Sequence, residues 1–201
     1  PAMLIAGNFG LVAPVNKRIV VKAPDWLYVP QVQPIDPDVI RRSYTPQLEG
    51  EPVAVVMEFL SDTEGGELSI RATPPYGKFY FYEQILRVPT YVTYDPYASS
   101  LEVRCLQDGQ YSLQTPDGEG LWWIPELALF LGRWSGERLG QTTTWLRWWD
   151  QAGNLLLWSS EQAEQAQQQA EQAQQQAEQE RQRAEALAAK LRDLGCVPEQ
   201  G

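Results

Sequence analysis

The chain has 201 residues, enough for one ordinary domain with an appendage, and its 43% hydrophobic content, with eight Trp, nine Tyr and five Phe, supplies one core. It contains no histidine, which excludes Ser-His-Asp and Cys-His nucleophilic machinery and His-ligated metal hydrolases; any hydrolysis must run on carboxylates, Lys, Tyr or a hard metal ion. The net charge is −10, only part of it from the C-terminal tail, which argues against the broad basic footprint that tight non-specific DNA binding needs.

Along the chain, residues 19–22 and 26–29 read as short strands separated by Pro24-Asp25. Residues 31–51, bounded and interrupted by prolines, read as an irregular loop. Residues 53–60 (VAVVMEFL) form a nearly continuous apolar run between Pro52 and Ser61, the pattern of a strand buried on both faces. A polar, glycine-containing loop follows to Pro75. Residues 76–86 suit a helix, with Phe79, Tyr82, Glu83 and Leu86 at helical spacing and Pro89 beyond as a stop.

Residues 90–94 are a further strand. Residues 101–106 and 110–113 flank Asp108-Gly109, a hairpin signal, and 121–124 follows another turn at Asp117-Gly118. Residues 143–149 and 155–158 read as a second hairpin around residues 150–154. The sum is an α/β or α+β body, a mixed sheet with few helices. Two cysteines, Cys105 and Cys196, have neither zinc-ligand nor disulfide-framework spacing, so one reads as a small core residue and the other as a free tail thiol.

The tail is different material. Ala163, Ala166, Ala170, Ala173 and Ala177 alternate three- and four-residue steps, and Ala184, Leu187, Leu191 and Leu194 resume the stripe. It reads as a long C-terminal helix stopped by Gly195 and Pro198, existing as a solvated rod, a self-associating coiled coil or a seat for another chain. The expected division is a body over residues 1–157 and a Gln/Ala-rich helical tail over 158–201. No apolar run approaches the ~20 residues of a membrane span, and no charged-then-apolar leader opens the chain, which gives the expectation of a cytoplasmic protein.

Glu58 is out of place in its apolar run, because an ionised carboxylate buried there without a partner would cost several kcal/mol or stay protonated. Pairing with a cation of the chain and coordination of a metal are the two outcomes that keep such a group. Asp25, at the head of another strand, is a second acid, and Lys78, early in the following helix, is the nearest cation in sequence. Two carboxylates and a lysine are what metal-assisted phosphodiester cleavage requires. The tryptophans at 122, 123, 134, 145, 148 and 149 read as sheet packing ahead of a stacking surface for bases, sugars or a small ligand. Glu64 and Glu67, around Gly65-Gly66, read as solvated loop acids ahead of metal ligands.

Several segments together resemble a known family. They are Ala23-Pro24-Asp25-Trp26, Val56-Met57-Glu58-Phe59-Leu60-Ser61, Tyr76-Gly77-Lys78-Phe79-Tyr80-Phe81-Tyr82-Glu83, Arg87-Val88-Pro89-Thr90-Tyr91 and Tyr94-Asp95-Pro96, joined by Trp145-Leu146-Arg147-Trp148-Trp149-Asp150 and the Gln/Glu/Arg-rich tail. This ensemble resembles the Uma family of restriction endonucleases within the PD-(D/E)XK nuclease superfamily. The resemblance implies a restriction-endonuclease-like fold and an Mg²⁺- or Mn²⁺-dependent endonuclease acting on DNA. It implies Asp25 and Glu58 as metal ligands, the backbone carbonyl of Phe59 as a further ligand, Lys78 as the catalytic lysine and Tyr82 as a supporting residue. The superfamily's usual lysine position, two after the acid, is Leu60 here, so the lysine role passes to Lys78. A homodimer, formed through the C-terminal helix, would suit a nuclease that cuts both strands. The rival expectation is a catalytically inactive nuclease-fold scaffold acting in protein–protein interaction through its coiled-coil tail.

Overall fold

The computed structural model describes residues 2–36, 38–61 and 66–193. The readings of Glu64, Gly65, Leu194, Gly195, Cys196 and Pro198 lie outside the described residues. The chain divides into two compact units, Pro1–Leu155 and Leu156–Gly201. Among the described residues no helix is long and apolar enough to cross a membrane.

The first unit is a mixed α+β body built on a six-stranded sheet. In chain order the strands are β1 (Ala2–Ala6), β2 (Gly10–Val15), β3 (Arg18–Lys22), β4 (Trp26–Val32), β5 (Ser43–Tyr44), β6 (Val55–Phe59), β7 (Thr90–Asp95), β8 (Ser100–Gln107), β9 (Gln110–Leu113), β10 (Trp122–Ile124), β11 (Leu129–Arg138) and β12 (Gln141–Trp149). The large sheet has the order β1-β4-β6-β7-β8-β9; β3-β2-β5 and β10-β11-β12 form two smaller sheets. Only β6–β7 and β2–β5 pair in parallel among these strands. The connection between β6 and β7 carries the body's helix, as a parallel crossover requires.

β6 lies at the centre of the large sheet, antiparallel to β4 and parallel to β7, which is why its sequence is apolar on both faces. The period-two alternation sends Val56 into one core cluster, with Leu27, Val29, Phe81, Tyr82 and Tyr91. Val55 and Met57 enter the other, with Val92, Val103, Trp122, Ile124 and Leu131. The β2–β5 sheet and the helical segment supply the first cluster, and the β10–β12 sheet supplies the second. Glu58 therefore points to the same face as Val56 and the helical segment.

Three readings of the sequence need correction. The helix expected over residues 76–86 is a single α-turn, α1 (Lys78–Tyr80), continued by a wider π-helical turn, Phe81–Ile85. The Leu86 amide donates to the Phe81 carbonyl five residues back, and the widened turn lets the consecutive residues Phe81 and Tyr82 both be buried. The expected loop over 31–51 begins with the end of β4, which runs through Pro30 to Val32, and contains β5, whose Tyr44 is fully buried. The expected hairpin between 143–149 and 155–158 does not form: β12 pairs instead with β11 along its whole length, and Leu155 makes one isolated bridge to Trp149. The β11–β12 turn is Leu139-Gly140, both at positive φ, and a leucine at that position gives no turn signal in the sequence. By contrast Asp108 and Gly109, also both at positive φ, make the β8–β9 turn as read. Strands β1, β2 and β11 are additions that the sequence reading does not contain.

The second unit holds α2 (Ser159–Asp193). It opens on half of a capping box, the Glu161 carboxylate accepting from the Trp158 amide at 2.7 Å. Beyond that turn its side chains are exposed as far as Arg192, including Leu187 and Leu191 of the heptad stripe.

Candidate active site

Glu58 has no solvent exposure, and both carboxylate oxygens are used within the chain. The Lys78 ammonium donates to Oε2 at 2.9 Å and the Tyr82 hydroxyl to Oε1 at 2.8 Å. Of the two outcomes open for a buried strand acid, the structure therefore shows pairing with a chain cation. Burial pushes the Glu58 carboxyl up to about 7, the hydrogen bonds and charge of Lys78 and the Tyr82 hydroxyl working in the opposite direction. The negative charge of Asp25 adds to the rise.

Asp25 arrives by strand register. Trp26 is opposite Met57 and Leu27 opposite Val56 in the antiparallel β4–β6 pair, so one further step sets Asp25 beside Glu58. Its Oδ2 accepts the Phe59 amide at 2.7 Å, which fastens the bend before β4 to the end of β6. Phe59 contributes its amide to Asp25, while its ring is exposed and meets Tyr94 edge-on.

Lys78 and Tyr82 come from the helical segment, four residues apart and so on one face of it. Tyr82 is fully buried, and its hydroxyl is held far above the ordinary range by burial and then by Glu58. It stays protonated as a donor to Glu58, so its action is on the carboxylate. Lys78 keeps partial exposure, 24% of its side chain, whereas Glu58 has none. Lys22, at the end of β3, lies close enough for the Lys78 charge to lower its own ammonium pKa, after the larger effect of burial.

The structure also corrects the reading of Glu67. It is not a solvated loop acid: it is 7% exposed, and its Oε1 lies 3.8 Å from the Lys78 ammonium. The Tyr91 hydroxyl donates to its backbone carbonyl at 2.7 Å, within the core. The sequence gives no local signal for this, since the residue directly follows Gly65-Gly66, a pair that reads as loop. Only the crossover that folds the loop over β7 reveals it.

The tryptophans are spread over the β10–β12 sheet. Trp122 is buried and Trp148 packs on Trp26, whereas Trp123 faces outward against Phe130. Trp145 donates to the Gly136 carbonyl. Sheet packing accounts for these contacts.

Among the described residues no three Asp, Glu or Cys side chains come together as a ready metal cluster. The donor set at the centre is two hard carboxylates, Glu58 in β6 and Asp25 in the bend just before the neighbouring β4. That set fits Mg²⁺, which is typically bound by one or two carboxylates and completes its shell with water and substrate phosphate. A carboxylate oxygen with one hydrogen bond retains lone-pair capacity for such an ion.

Residues 7–139 match the model of a family, Uma2, described as putative restriction endonuclease. No curated protein and no solved structure matches the chain.

Proposed function

Because the chain belongs to the Uma2 family of restriction endonucleases, consistent with the PD-(D/E)XK-like superfamily, we propose that it hydrolyses phosphodiester bonds of DNA with Mg²⁺ or Mn²⁺ at the Glu58 centre. The observation that carries this reading is a fully buried carboxylate, flanked by a second acid, meeting a partly exposed lysine at 2.9 Å.

Asp25 and Glu58, with the carbonyl of Phe59, would hold the ion. When bound, the ion supplies Lewis-acid polarisation of a phosphate and a more acidic bound water. Glu58 must be ionised to bind it, so the raised carboxyl makes cation binding and proton release one linked event. Tyr82 fixes the carboxylate orientation through Oε1. Lys78 carries positive charge toward the scissile phosphate and orients the attacking water. With a net charge of −10 the chain is not drawn to DNA by its overall charge, so affinity would depend on local contacts at this centre.

α2 is the element through which two copies would pair, because its exposed Leu187 and Leu191 extend a heptad stripe of alanines. One observation favours the rival reading of an inactive scaffold working through this tail. Each Glu58 oxygen already accepts a hydrogen bond from within the chain, which holds the buried acid without a metal.

Titrating Mg²⁺ and Mn²⁺ into the wild type and Glu58→Gln, while following Tm and plasmid cleavage, separates the two. The nuclease reading expects cleavage and a cation-induced rise in Tm, both lost in Glu58→Gln. A wild type that neither cleaves nor responds to either cation overturns the nuclease reading and favours the scaffold reading.

A further inference from the structure

Glu58 is asked to do two incompatible things. It accepts the Lys78 ammonium at 2.9 Å, and under the nuclease reading it must also bind a divalent cation. Two positive groups on one buried carboxylate repel each other strongly where water is excluded. A centre that uses both needs another place for the ammonium.

The structure contains such a place. Glu67 Oε1 lies 3.8 Å from the same Nζ, already within ion-pair range, while its side chain is only 10% exposed. Its loop is fixed from two sides. The Tyr91 hydroxyl of β7 holds the Glu67 carbonyl, and the Ser69 carbonyl accepts from the Tyr80 amide of α1. Gly77, immediately before Lys78, packs so tightly on this loop that a Cβ there would lie 2.0 Å from the Ser69 carbonyl oxygen. The loop bearing the acid and the helix bearing the lysine are therefore set against each other by backbone contacts.

We propose that Glu67 is a positioning residue, the second seat of the Lys78 ammonium, which receives it when Glu58 engages a divalent cation. This rests on the metal-dependent reading of the Glu58 centre. Rotation about the terminal torsions of the lysine brings Nζ from one carboxylate to the other without moving the backbone. The transfer keeps Lys78 charged and beside the reacting phosphate, and it releases Glu58 for the cation.

Mn²⁺ binding, followed by its paramagnetic resonance spectrum, tests this on the full chain without relying on cleavage. Glu67→Gln is expected to weaken Mn²⁺ binding about tenfold, the contribution of one charge-assisted hydrogen bond. In a Lys78→Met background the same substitution is expected to change nothing, because no ammonium remains to be seated. Wild-type affinity in Glu67→Gln overturns the proposal. So does a loss that persists undiminished in Lys78→Met, which would make Glu67 a direct ligand. If Glu67→Gln does not fold, Glu67→Asp, which shortens the reach by one methylene, is expected to weaken binding less, again only when Lys78 is present.

A wild type that binds no Mn²⁺ refutes the metal reading by itself. The seat is then read in the metal-free protein from the water exchange of the Lys78 ammonium protons, using ¹⁵N-labelled lysine. Glu58→Gln is expected to leave a protected ammonium that Glu58→Gln/Glu67→Gln loses. Equal exchange in the two variants overturns the second seat.

Discussion

At the scale of single residues, the energetics of the centre are set by one carboxyl that burial disfavours in its charged form. Glu58 is raised to about 7 in the folded chain, above the ordinary carboxylate value of 4.5 that it keeps when unfolded. The folded state thus binds its proton more tightly. This contribution to stability is complete below about pH 4.5 and is lost as pH rises through about 7, on the order of a few kcal/mol. Metal-free Tm is accordingly expected to carry a falling component across that window, and Glu58→Gln to flatten it; an identical pH dependence in the two proteins would refute the assignment. Tyr82→Phe removes the hydroxyl that lowers the Glu58 carboxyl. It is expected to cost about 1–3 kcal/mol in chemical denaturation, as loss of a buried hydrogen bond to a charged group does. The same change should move the pH–cleavage midpoint upward, since Glu58 would then ionise later.

At the scale of elements, the helical segment and the loop before it act as one unit. Gly77 has ordinary negative φ, so its requirement is space and not backbone freedom. Gly77→Ala is expected to destabilise the body by about 2–3 kcal/mol, in the range of overpacking a tight contact. It should also lower cleavage, because the backbone shift that relieves the clash separates Lys78 from Glu67. Wild-type melting and wild-type cleavage in Gly77→Ala would show that the close approach is not needed. Much of the element pattern was legible in the sequence. The apolar run around β6, the Asp108-Gly109 turn and the alternation at the start of β8 carry local signatures that tertiary packing reinforces. The failures also have local causes. Leu139 occupies a positive-φ turn position without a turn residue's chemistry, so nothing local marks the β11–β12 hairpin or β11 itself. The π-turn needs two consecutive inward residues, which helical periodicity does not register.

At the scale of the whole molecule, the body and α2 are distinct compact units, and they carry different expectations. α2 spans 35 residues, about 50 Å at 1.5 Å per residue, with an alanine seam that buries little area. Deleting residues 159–201 is expected to leave the thermal midpoint of the body unchanged within a few degrees. It should reduce the mass in solution from dimer to monomer, as measured by light scattering. An unchanged mass removes the pairing role of the tail. Because the body carries the Glu58 centre, the deletion should also retain cation binding.

The sequence by itself determined that histidine chemistry is absent, that one acid lies inside an apolar strand, and that a long polar helix follows the body. These depend on composition and on short-range periodicity, which the chain states residue by residue. Only the tertiary structure decided who meets Glu58. The β4–β6 register brings Asp25 alongside, and the crossover to β7 delivers Lys78, Tyr82 and the unexpected Glu67 to one face. Contacts between residues tens of positions apart depend on strand order and handedness, and nothing within a local window of sequence records either.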